Sequence, residues 1–269
     1  MPVTLNILLD HFPLVSYAPK KENPKFLGIK MLSCHSSRLS PDYLYVCNFT
    51  KAVKISQSFP NLYLLCPRDG LQEYVADNAL RRVIMFDGKI NYDSFFRFKE
   101  VFKTFKEWES NMQRSLIAGR GLQDLLDISE NIIDSHIAVV DSGFNLLAYT
   151  QHTECEAPLI LGLLTQNPRA NHKLRYLNLS WESWSQMPII IIGTIQDNRN
   201  YIHALKVLNN IAGNPVLVVL TCHCRQLTKG QYDKFSILLA KLSCSINTLG
   251  TPSTPSFQLV TYSHGNVEN

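Results

Sequence analysis

PDYLYVCNFTKAVKISQSFPNLYLLCPRDG, residues 41–70, is the stretch whose reading decides the fold. Asp42 leads into an apolar run, Tyr43–Cys47, that predicts a strand. A segment of mixed character near Thr50–Ser58 predicts a helix, closed by Pro60 and Asn61. Leu62–Cys66 repeats the strand pattern, and Pro67-Arg68-Asp69-Gly70 reads as a turn. Downstream, Leu71–Arg81 carries Leu71, Tyr74, Val75 and Leu80 at helical spacing, and Val83–Phe86 is a further strand ended by Asp87-Gly88. Upstream, Phe26–Leu32 reads as a strand. Leu5, Leu8, Leu9 and Phe12 mark an amphipathic first helix, capped by Thr4 and stopped by Pro13. Pro19 and Pro24, among charged neighbours, predict a loop. Strands alternating with short helices predict a small domain over residues 1–91 built on a parallel sheet.

The period changes after residue 91. Phe95, Phe102 and Leu116 share one heptad position, and Phe98, Phe105 and Met112 share another, with Glu109 interrupting the first series. Phe96, Val101 and Trp108 widen the apolar face. Residues 92–118 therefore predict a linker helix whose aromatic stripe must be covered, either by its own chain or by a second copy. A helix of about 37 Å over Tyr92–Leu116 is longer than either small domain is expected to cover, so part of the stripe is expected to form a homodimer seam through Phe95, Phe98, Phe102, Phe105 and Met112. Gly119 and Gly121 end that helix. Leu122, Leu125, Leu126, Ile128, Ile132 and Ile133 predict another.

From there the chain is rich in strands. His136–Asp141 and Asn145–Thr150 flank a Ser142-Gly143 turn; Pro188–Ile195, Tyr201–Leu208 and Pro215–Cys222 follow. Pro158–Gln166 is read as helical and Asn167–Ser185 as irregular. Lys229–Leu249 closes the series as a helix, with Tyr232, Phe235, Leu238, Leu239, Leu242 and Ile246 on one face. Two strands, a helical excursion, three strands and a helix suit an antiparallel sheet covered by helices on one face. Residues 250–269, rich in Ser, Thr, Pro and Gly, read as a flexible tail.

Composition narrows the function classes. The chain has 269 residues, 45% hydrophobic and 18% charged, enough to bury a core and more in keeping with two domains than one. A net charge of +4 without a dense Lys/Arg stripe argues against nucleic acid or a membrane surface as partner. Asp10 and His11 interrupt the first apolar run, and no basic region precedes it, so no signal peptide is expected. Ile189–Ile192 and Val216–Leu220 are far shorter than the roughly 20 residues that span a bilayer. The expected location is cytoplasmic. The seven cysteines, odd in number and often within strand-like runs, are expected to be buried thiols.

Two stretches carry a family resemblance. LSPDYLYVCN followed by NLYLLCPRDG is similar to the N-terminal α/β domain of the purine-catabolism-regulator (PucR-type) bacterial transcription factors. SLIAGRGLQDLLDISENIIDSHIAVVDSGFNLLAYT resembles the segment that, in these regulators, ends a linker helix and opens a GAF/PAS-like sensor domain. The resemblance implies an α/β protein with a PucR-like domain over 1–91, a linker helix over 92–118 and a GAF/PAS-like α+β domain over 119–249. It also implies a sensory, non-catalytic role as a homodimer or a heterodimer with a full-length homologue. Residues 250–269 are too short for the helix-turn-helix head usual in that family, so DNA binding is not expected of this chain. The rival expectation is a small α/β enzyme, a hydrolase or transferase, with an unrecognised site.

Candidate sites are few. Arg68, in a turn between a parallel strand and a helix, stands where α/β sheets receive anionic ligands, though an ordinary surface arginine of a type I turn is the favoured reading. Tyr176, Trp181 and Trp184 suit either a lid over a small-molecule pocket or a cap on the core. Cys222-His223-Cys224 offers two thiols on one strand face but no second ligand pair, so no metal is expected. Asp141-Ser142-Gly143 reads as a hairpin turn and not a catalytic group, because no partner residues follow in a triad order. No cofactor is expected.

Overall fold

The computed structural model describes residues 1–12, 14–16, 22–32, 39–67, 82–86, 92–141, 146–151, 191–197, 200–209, 215–223 and 227–249. They form a mixed α/β protein with two five-stranded sheets and a small two-stranded one. Among them no helix is long and apolar enough to cross a membrane.

In the first sheet, β4 (Gly28–Met31), β5 (Tyr43–Val46), β6 (Tyr63–Pro67) and β7 (Val83–Phe86) run parallel in that order. The strand alternation sorts side chains to opposite faces. Ile29, Leu44, Val46, Tyr63, Leu65 and Ile84 fall on one side; Tyr45, Cys47, Leu64, Cys66, Val83 and Met85 fall on the other. Both faces are apolar because both are covered, as a parallel sheet requires. The second face is closed by α2 (Phe49–Ser58) through Phe49 and Ala52. Asn48 caps α2 by accepting from the Lys51 N–H at 2.9 Å, so the helix starts at Phe49, one residue before the expected Thr50.

Two short strands depart from expectation. β2 (Leu14–Ser16), within the span read as a loop, joins β7 antiparallel at the sheet's edge. The strand expected over Phe26–Leu32 is broken at Leu27, whose N–H donates to the Asp42 carbonyl at 2.7 Å. Its first part, β3 (Lys25–Phe26), pairs instead with β1 (Val3–Thr4). Thr4 then caps α1 (Leu5–His11), accepting from the Ile7 N–H at 3.3 Å as the sequence predicts.

The helix expected over 92–118 is α3 (Tyr92–Ile117). It ends in a Schellman turn. The Gly119 N–H donates to the Leu116 carbonyl at 3.1 Å and the Arg120 N–H to the Ser115 carbonyl at 3.2 Å, with Gly119 at φ 63°. α4 (Gly121–Ile133) follows and ends at Asp134, itself left-handed at φ 50°. The second sheet takes the order β10 (Ile191–Asp197), β11 (Asn200–Asn209), β12 (Pro215–His223), β8 (His136–Asp141), β9 (Leu146–Tyr149), and every pair is antiparallel. β8 and β12, the first and last strands of this half, lie side by side. α4 and α5 (Lys229–Leu249) cover the face that carries Ile137 and Val139.

One hydrophobic core runs through both halves. It joins Leu5 and Leu8 of α1, the inner face of the first sheet, the α3 stripe, Leu125 and Leu126 of α4, Ile137 and Val139 of β8, and Phe235, Leu238 and Leu242 of α5. This corrects the expected dimer seam. Phe98, Phe102, Phe105 and Met112 are all at most 8% exposed within a single chain, and Phe95 is half-buried against the same core. Trp108, which widens the stripe, is also buried and donates through Nε1 to the Ser129 hydroxyl at 3.0 Å. The stripe is covered by α1, α4 and α5, so Phe98, Phe102, Phe105 and Met112 are not available to a second copy.

Candidate functional site

α1, α3 and α4 leave a cavity of about 260 Å³ between them, lined by His11, Glu100, Val101, Thr104, Phe105, Asn131 and Ile132. Helix spacing explains the lining. Glu100, Val101, Thr104 and Phe105 cover one face of α3 at i, i+1, i+4 and i+5, and Asn131 and Ile132 stand near the C-terminal end of α4. His11 closes the cavity from the last turn of α1, its ring edge-on to Phe105 at 6.3 Å and 83°.

A charged cluster lies beside Phe105. Lys234 of α5 is only 7% exposed, and its ammonium sits 5.9 Å from the centre of the Phe105 ring. Burial pulls the Lys234 pKa down, opposed by the carboxylates of Asp10 and Asp134. The same ammonium acts on His11. Burial lowers the imidazole's pKa first, the Lys234 charge lowers it further, and Asp10 partly opposes both. His11 is thereby held neutral at neutral pH.

The cluster is fixed by a polar seam between α1 and α5. The Thr228 hydroxyl donates to Asp10 at 2.6 Å, and the Asn23 amide donates to Asp233 at 2.9 Å. The Thr4 hydroxyl donates to the same Asp233 carboxylate. Thr228 and Gln231 form a capping box on α5: the Gln231 N–H donates to the Thr228 hydroxyl at 3.1 Å, and the Thr228 N–H to Gln231 Oε1 at 2.9 Å. Gly230 sits where α5 meets α1. A Cβ there would lie 2.7 Å from the Asn6 carbonyl oxygen and 2.5 Å from Asp10 Cγ.

The residues singled out from sequence are distributed differently. Arg68, Tyr176, Trp181 and Trp184 lie outside the described residues. Cys222 and His223 end β12, where Cys222 is paired with His136 and His223 with Tyr201, while Cys224 lies outside. Asp141 ends β8, as a hairpin turn requires. Cys47 and Cys66 are buried, and burial pushes the Cys47 thiol up to about 11, which makes it unreactive; Cys244, on α5, is exposed instead. Among the described residues no three His, Cys, Asp or Glu side chains converge as metal ligands would. Of the expected site residues that the structure describes, only Phe105 lines the cavity, and its role there is as a wall. Sequence reasoning missed His11, Glu100, Thr104 and Asn131 because they come from separate elements without a shared motif. The Thr228–Gln231 capping box had a readable signal, T-x-x-Q at the head of a predicted helix.

No protein-family model matches the chain, and no curated protein matches it in sequence.

Proposed function

We propose that the chain is a sensory or regulatory module of the PucR type, cytoplasmic and non-catalytic, which responds to a small molecule. The observation that carries this reading is the arrangement of the second half. Its first and last strands, β8 and β12, share the middle of an antiparallel sheet with helices α4 and α5 on one face, an arrangement that suits a GAF/PAS-like sensor. The preceding parallel sheet, whose strands hold the PucR-like stretches, supports the same reading. In this account α3 and α5 are the elements that respond, since both touch the first and second halves through one core. Pairing with a second copy or with a full-length homologue remains part of the proposal, through a surface other than the buried stripe.

The test is a metabolite screen with two readouts, melting temperature of the purified chain and mass spectrometry of the compound afterwards. The expected result is a compound that raises the melting temperature in a dose-dependent way and is recovered unchanged, because a ligand of the folded state adds to its stability. Conversion of a stabilising compound into product would overturn the regulatory reading in favour of an enzyme.

A further inference from the structure

We propose that the cavity between α1, α3 and α4 is a binding site for a small organic cation, an amine with a flat apolar body, held by Glu100. This goes beyond the regulatory reading and does not depend on it. The lining has two parts. Val101, Phe105 and Ile132 give an apolar wall suited to a ring, and Glu100, Thr104 and Asn131 give the polar groups. Glu100 supplies the carboxylate of the lining. His11, the other titratable residue in the lining, is kept neutral by burial and by Lys234 and serves as a hydrogen-bonding group. An anion entering here would face Glu100. The buried cation Lys234, over the Phe105 ring at 5.9 Å, already faces the carboxylates of Asp10 and Asp134. Glu100 does have a partner in Lys103, at 3.7 Å, but both side chains are 61% exposed. Such a surface pair contributes little, so an incoming ammonium exchanges for Lys103 at small cost.

Three probes of nearly equal shape decide the charge preference: benzylamine, benzyl alcohol and benzoate. Each is titrated into the full chain at pH 7.5 while the His11 imidazole resonance is followed by NMR, which localises binding to this cavity. The expected result is benzylamine binding about threefold more tightly than benzyl alcohol, the modest gain an ion pair at a half-exposed carboxylate provides, and benzoate more weakly than both. Glu100→Gln, at an exposed position, should bring benzylamine down to the level of the alcohol. Ile132→Trp, which fills the cavity, should remove the response to all three. Equal affinity for the three probes, preference for benzoate, no response to any of them, or benzylamine binding unchanged in Glu100→Gln would overturn the proposal. The metabolite screen reads the whole molecule and this titration reads one cavity, so each proposal can fail without the other.

Discussion

Single residues decide how closely α1 and α5 approach. At Gly230 the obstacle to a side chain includes the Asn6 backbone carbonyl, which cannot rotate away as the Asp10 side chain can. Gly230→Ala should therefore destabilise the chain by about 1–3 kcal/mol, the usual cost of overpacking, read as a lower denaturation midpoint at unchanged m-value. His11 gives a signed pH dependence. Its pKa is lowered on folding from the ordinary 6.5, so the unfolded chain takes up this proton first as pH falls. The stability that His11 contributes is complete above about pH 6.5 and is lost as pH falls through that value towards the lowered one. Urea denaturation between pH 8 and 5 should show this loss, and His11→Gln should reduce it. Lys234→Met removes one cause of the shift, so NMR titration should find the His11 pKa raised towards its ordinary value. None of this was legible in the sequence. His11, Phe105 and Lys234 are distant along the chain and become neighbours only when α1 and α5 meet on α3.

At the scale of elements, the sequence was most readable where one pattern admitted one geometry. Tyr43–Val46, Tyr63–Pro67 and Val83–Phe86 were legible because apolar runs beside short helices suit a sheet covered on both faces. The five strands of the second sheet were legible for a related reason, each being bounded by turn residues. β2 was missed because three residues carry no periodicity. The α3 stripe was found in the right place and given the wrong partner. A heptad pattern records that a face is covered but not by what, and α1, α4 and α5 meet the same requirement as a second α3. The two accounts differ experimentally. Phe105→Ala should cost about 3–5 kcal/mol of folding stability, whereas Phe96→Ala, at a residue 42% exposed on the same helix, should stay within about 0.5 kcal/mol. Phe102→Glu should unfold the chain, since it places a charge in the shared core. A folded monomer produced from a native dimer, seen by sedimentation, would return the stripe to an interface.

For the whole molecule, the consequence of one core is that the two sheets do not behave as beads on a string. α3 is about 39 Å long for its 26 residues, and its buried side chains touch apolar groups from both halves. Separating the halves would expose part of the stripe whichever half kept α3, since Phe98 packs on Phe12 and Phe86 of the first half while Trp108 and Met112 meet Ser129 of the second; the burial of each such large apolar group stabilises by about 1.5–3 kcal/mol. Under the proposed regulatory reading, a change of packing would pass from one sheet to the other through α3 and α5, which share one core with both. Differential scanning calorimetry of the intact chain tests this coupling most directly. The account predicts one transition, with calorimetric and van't Hoff enthalpies in agreement; two resolved transitions, one retained by a fragment of residues 1–91 and the other by a fragment of residues 119–249, would contradict it.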